Sequence, residues 1–310
     1  MAGNQICKSL DADELMERTK NKKSFLLIDT LPGSHFEKVH LPAALNACVF
    51  EVTFLEQMRA ITDSKETEIV LYGSSSRSRD CSVAADKLRR EGYKNISVLD
   101  GGLEGWRVRG FELQGKQPDS VDAETTLRLD DGTYSVDAGQ SIIEWTGRNP
   151  NSKHFGTVGI KKGRIEVNHS ILTGVIDIDM ETIDNTNLKD SELHPILVSH
   201  LKSEDFFFVK MFPIAVLTIT KGQAIQTRFL TSPNYDFEAI LELKGIKADL
   251  AFQATVTKKE DGSLSAEAHF DIDRTRWQVI YGSTRFFESL GLHMVFDLVS
   301  LQTKIIANRQ

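Results

Sequence analysis

The sequence predicts two domains: an α/β domain built on a parallel sheet, then an antiparallel β-barrel with one helix. Three observations carry this. Up to about Leu113, short apolar runs alternate with stretches of helical spacing; from Gly115 to Asp131 the chain turns polar and acidic; beyond Thr133, apolar residues recur with period two. A chain of 310 residues also exceeds one ordinary core. The expected boundaries are 1–114 for the first domain, 115–131 for a linker and 132–310 for the barrel.

Leu26-Leu27-Ile28, Ile69-Val70-Leu71 and Ile96-Ser97-Val98-Leu99 read as buried parallel strands, because apolar runs without alternation suit a sheet covered on both faces. Between them, Val52 to Ile61 and Ala84 to Arg90 have helix spacing. The 115–131 segment contains Pro118, lacks periodicity and is long for a loop inside a compact domain. Past it, Val175 to Met180, Leu250 to Val256 and Ala266 to Ile272 alternate apolar and polar residues, as antiparallel strands do. Asp261-Gly262 marks a hairpin turn between the last two. Leu193, Ile196, Leu197 and Leu201 fall instead at helical spacing, with Pro195 suited to a first helical turn. Many strands with one helix suggest a closed barrel carrying a helical plug or flap.

A formal charge of −7 disfavours nucleic acid as a partner, since no basic stripe neutralises phosphates. Met1 to Lys23 lacks the apolar core of a signal peptide, and no run approaches the roughly 20 apolar residues of a membrane span. A cytoplasmic location is the expectation. Cys7, Cys48 and Cys81 have no metal-binding spacing and read as free thiols. His169, His194, His200, His269 and His293 are scattered, and neither metal nor cofactor is expected.

The run Ile69 to Arg79 empties an apolar strand into the loop Gly73-Ser74-Ser75-Ser76-Arg77-Ser78-Arg79, ahead of a helix-like stretch from Cys81 to Leu88. Such a turn aims backbone N–H groups inward and forms an anion-binding cradle, which Arg77, Arg79 and the serine hydroxyls can assist. Cys81 is a weak candidate nucleophile at the helix start, set against its reading as a small packed residue. Cys48 reads as core.

Over Leu10 to Leu113 the chain resembles the rhodanese domain. The resemblance rests on Leu27-Ile28-Asp29-Thr30, on Phe36 to Asn46, and on Gly92 to Ile96 with Leu99-Asp100-Gly101-Gly102-Leu103-Glu104-Gly105-Trp106. It implies a nucleophilic cysteine where Gly73 stands and an arginine where Leu31 stands, so the departures fall where the chemistry belongs. It also makes His40 a loop-fixing residue.

From Tyr134 to Ile306 the chain resembles the YceI-like, lipocalin-like family, whose members enclose isoprenoid or other lipidic molecules. Tyr134-Ser135-Val136-Asp137, Ser141 to Trp145, His200 to Phe207 with Phe212-Pro213, Leu243 to Ile246, and Ile272 to Trp277 carry it. The segment around Phe155 to Gly163 is compact, leaving little room for the long hairpin many members carry. Asp177, Asp179 and Glu181 read as a solvated strand face. Ala239, Ala248, Ala254, Ala266 and Ala268 leave room in the lumen if they face inward.

The resemblance implies a non-catalytic binding protein whose barrel sequesters a hydrophobic or amphiphilic small molecule, contacted by Trp145, Leu201, Phe206, Phe207 and Phe212. Phe206 to Phe208 are candidates for one end of the site. The first domain would bind an anion or a partner, or serve as a structural platform, and for the whole chain a protein partner or a homo-oligomer stays open. Two alternatives stand beside this: a sulfur- or phosphoryl-transfer enzyme using Cys81, and a structural fusion with no small ligand.

Overall fold

The computed structural model describes residues 8–21, 23–120, 129–225 and 231–310. The chain divides into two compact units, Met1–Ala123 and Glu124–Gln310.

In the first unit five parallel strands, β1 (Lys8–Leu10), β2 (Leu26–Asp29), β3 (Leu45–Asn46), β4 (Ile69–Tyr72) and β5 (Ile96–Leu99), lie in the order β1-β5-β4-β2-β3. The three expected strands are β2, β4 and β5. The edges β1 and β3 are too short to show a period. Every residue of β4 is buried because helices cover both faces. On one face lie Phe54 and Met58 of α3 (Phe54–Ile61) with Ala84 and Leu88 of α4 (Asp80–Arg90). On the other lie Leu15 of α1 (Ala12–Lys20) and Leu103 and Trp106 of α5 (Gly102–Val108). Asp11 caps α1 by accepting from the Glu14 N–H at 2.8 Å. The short α2 (Gly33–Lys38) precedes β3. Gln114 bridges antiparallel to His40, and Lys116 and Gln117 N–H groups donate to the Glu37 and Lys38 carbonyls. The start of the 115–131 segment thus packs on the first unit, whereas 121–128 lies outside the described residues, as does Cys7.

The second unit is a closed eight-stranded antiparallel barrel with one α-helix among its described residues. Its strands are β6 (Gly132–Val136) and β7 (Ile142–Arg148), which share one position between β14 and β8, then β8 (Lys153–Asn168), β9 (Ile171–Asn185), β10 (Ile214–Ala224), β11 (Tyr235–Leu243), β12 (Ile246–Lys258), β13 (Leu264–Asp273) and β14 (Leu298–Arg309). Pairing of β13 and β7 with β14 closes the sheet and leaves no long free edge. The helix α6 (Leu193–Lys202) sits between β9 and β10, where the helical spacing was expected.

One expectation is corrected. The Phe155–Gly163 segment belongs to β8, a 16-residue strand paired with the 15-residue β9. Register shifts at Thr157/Gly159 and Ile160/Lys162 interrupt the period of two, which hides a long strand from any alternation reading. Outside the barrel, Asp177 and Asp179 pair with Lys162 and Lys161. No helix among the described residues is long and apolar enough to cross a membrane.

Candidate functional site

The loop between β4 and α4 brings together Gly73, Ser74 and Asp80. The Asp80 carboxylate accepts from the Cys81 N–H at 2.7 Å and the Ser74 N–H at 3.2 Å. It lies against Gly73 so closely that a Cβ there would fall 2.2 Å from Oδ2. A side chain at position 73 and the carboxylate of Asp80 therefore compete for one space. The Ser74 and Cys81 N–H groups thus converge on a carboxylate of the protein itself. Gly102 closes the far side at φ +54°, where a Cβ would meet the Gly73 carbonyl oxygen at 2.5 Å and displace the bond from the Leu103 N–H.

The other loop residues are not drawn in. Arg77 and Arg79 are exposed, and the Arg77 guanidinium stands 3.8 Å from Glu104. Ser75 and Ser78 hydroxyls accept from nearby loop N–H groups, and Ser76 is exposed. Cys81 is buried with Sγ 3.9 Å from the Thr30 hydroxyl. Burial, and then the neighbouring Asp80 carboxylate, push its thiol pKa upward, which keeps it protonated. Leu31 is buried, and its N–H donates to the Asp29 carboxylate at 2.8 Å. His40 fixes its loop through Nδ1, 2.7 Å from the Phe36 carbonyl. Cys48 is buried.

If the Asp80 carboxylate fills the cradle, Asp80→Ala should open it. Sulfate should then raise the melting temperature of the variant more than that of the parent, in a thermal scan at matched ionic strength. An equal response would mean that the loop holds no anion site even when vacated.

The barrel lumen is the second site. Two adjoining cavities occupy it, of about 80 Å³ and 130 Å³, and Ile143 and Ile178 line both. Around the first, Phe237, Phe252 and Phe270 stack across neighbouring strands at centroid distances of 5.3 and 4.5 Å. Ala254, Ala266 and Ala268 line this cavity, so the small residues on β12 and β13 do open space. The second cavity lies at the α6 end, walled by Trp145, Leu201, Phe206 and Phe207. Phe212 is outside both linings and packs beside Gly245. An aromatic cluster ties α6 to the barrel end, with the His200 ring 4.9 Å from Phe206 and 4.7 Å from Tyr281.

Arg274 also borders the second cavity, but its charge is spent elsewhere. Its guanidinium donates to the carbonyls of Phe296, Val279 and Val295, and Asp297 stands 3.8 Å away. Burial lowers its pKa from the usual arginine value, with Asp297 opposing that shift. The stacked phenylalanines were not singled out from sequence; their signal was the alternate spacing on β11, β12 and β13, which becomes specific only once register is known. Among the described residues no group of three or more histidine, cysteine or acidic side chains is arranged to hold a metal.

Comparison with known proteins matches a rhodanese-like domain model to residues 11–109 and a YceI-like domain model to residues 134–307. The adenylyltransferase and sulfurtransferase UBA4 of Candida albicans is 36% identical over 92 residues, 28% of this chain and 20% of that protein. The match therefore spans a fifth of that relative's length. Among solved structures, BcnA of Burkholderia cenocepacia is 17% identical with a TM-score of 0.44, covering 56% of this chain and 99% of that one. A polyisoprenoid binding domain from Saccharophagus degradans is 13% identical with a TM-score of 0.39, covering 57% and 98%. With more than half of its length matched, the chain belongs to the YceI-like domain family, and it carries a rhodanese-like domain ahead of the YceI-like one.

Proposed function

We propose that this protein is a non-catalytic carrier whose barrel encloses a hydrophobic molecule, joined through residues 115–131 to a catalytically silent rhodanese-like domain. The observation that carries the reading is the lumen: two adjoining cavities walled by aliphatic and aromatic side chains inside a sheet that closes on itself. Burial contributes about 0.8 kcal/mol per methylene, so roughly ten buried methylenes reach the ~8 kcal/mol of a micromolar complex before ordering costs. The family resemblance carried by the barrel sequence favours an isoprenoid or other lipidic chain over a compact aromatic ligand.

Silence of the first domain is supported by the loop. Gly73 supplies no nucleophile, Asp80 fills the space above it, and the Cys81 thiol is buried and held protonated. A domain in this state serves as a platform or a partner-binding surface. Titrating the full chain with isoprenoids and fatty acids should give saturable quenching of tryptophan fluorescence, Trp145 being in the cavity wall. A thiosulfate–cyanide assay should show no turnover. Turnover that disappears in Cys81→Ser would instead make the protein a sulfur-transfer enzyme.

A further inference from the structure

Two polar groups near the α6 end of the lumen have no hydrogen-bond partner among the described residues. Trp145 is 9% exposed and lines the second cavity, yet its indole Nε1 is buried without a hydrogen bond. His154 is half-buried, and its Nδ1 is likewise enclosed and unpaired. The register places them together. Trp145 pairs with Gly156 and Gly147 with His154, so the two side chains are diagonal neighbours across β7 and β8. Gly147 lines the same cavity as Trp145, and directly opposed residues share a face, which puts His154 on the inward side. Diagonal neighbours in an antiparallel pair stand about 7–8 Å apart at the backbone, close enough for one atom to reach both rings.

A buried N–H left without an acceptor costs free energy comparable to a lost hydrogen bond, and the cavity walls around it offer no replacement. An indole can only donate, whereas an imidazole nitrogen donates or accepts according to its tautomer. A hydroxyl oxygen satisfies both, accepting from Trp145 and donating to His154; a carbonyl oxygen accepts from both when His154 carries its proton on Nδ1. Charged groups are disfavoured. The one cation in the lining, Arg274, is already bound to three carbonyls and faces Asp297, so a carboxylate or phosphate there would be buried unpaired.

We propose that the barrel's ligand carries one neutral oxygen seated between Trp145 Nε1 and His154 Nδ1, its hydrocarbon chain running from there toward Phe237 and Phe252. This rests on the carrier reading above and specifies the class of molecule carried: a long-chain alcohol, aldehyde or ketone, not a hydrocarbon, an acid or a phosphate ester.

Equilibrium binding of the full chain to radiolabelled probes sharing one farnesyl chain tests it. The probes end in hydrogen, in a hydroxyl (farnesol) or in a diphosphate. Farnesol should bind about tenfold more tightly than the hydrocarbon, the worth of one hydrogen bond in a site closed to water, with the diphosphate weakest. Trp145→Phe should abolish the preference for farnesol, and far-ultraviolet circular dichroism matching the parent shows that the variant is folded. His154→Leu supplies a second variant, with the same loss of preference expected. Equal binding of alcohol and hydrocarbon by the parent, tightest binding of the diphosphate, or an unchanged preference in both variants would overturn the proposal while leaving the carrier reading intact. Failure of all three probes to bind would overturn both.

Discussion

Ala266→Phe should reduce ligand affinity by roughly a hundredfold or more while the chain stays folded. Ala266 lies on β13 between Val256 of β12 and Ile305 of β14, and its side chain borders the first cavity. A phenyl group there enters space that the fold keeps empty, beside the stack of Phe237, Phe252 and Phe270. Filling a void costs less than over-packing a dense core, so the penalty in stability should stay below the ~1–3 kcal/mol usual for added bulk. Urea unfolding and ligand titration of one preparation separate the two effects. A variant that binds as tightly as the parent, with the phenyl ring in the lumen, would mean that the ligand occupies some other surface.

The largest stability loss should follow Arg274→Ala. Arg274 is 2% exposed, and its guanidinium holds the Phe296, Val279 and Val295 carbonyls while facing Asp297. Removing it leaves three buried carbonyl acceptors unpaired at the barrel end, while Asp297 keeps the Arg285 guanidinium at 3.0 Å. Such a loss costs about 1–3 kcal/mol for each buried group left unsatisfied. Arg274→Lys should restore only part of this, since an ammonium cannot reproduce a planar fork that reaches carbonyls in several directions. The urea midpoint at constant slope measures both changes. A loss under about 1 kcal/mol for the alanine variant would show that the barrel end holds together without this network.

The fold was largely legible in the sequence. Unalternated runs at Ile69–Leu71 and strict alternation at Ala266–Ile272 correspond to β4 and β13, because double-sided and single-sided burial impose different periods. Legibility stopped where a result depended on register or on a side chain folding back. A two-residue turn at Asp261-Gly262 would set Phe252 opposite Asp271; the hairpin instead pairs Lys258 with Leu264, and Phe252 stacks on Phe270. Asp80 was visible as a residue of the β4–α4 loop, but its return onto Gly73 is set by the backbone path. Trp145, Leu201, Phe206 and Phe207, named from family resemblance, stand in the lining of the second cavity, whereas Phe212, named on the same resemblance, lies outside both lumen linings. His154 escaped notice because a lone histidine in a strand has no local signature; its significance depends on what stands across the ladder.

The central claim is that the closed barrel holds a hydrophobic molecule in its lumen. Native mass spectrometry of the intact purified chain, followed by solvent extraction, tests it most directly. The account predicts a non-covalent adduct near one per chain, released into organic solvent as a neutral lipid and missing from Ala266→Phe. A bare mass in both proteins, with no saturable uptake of any added lipid by the parent, would contradict it.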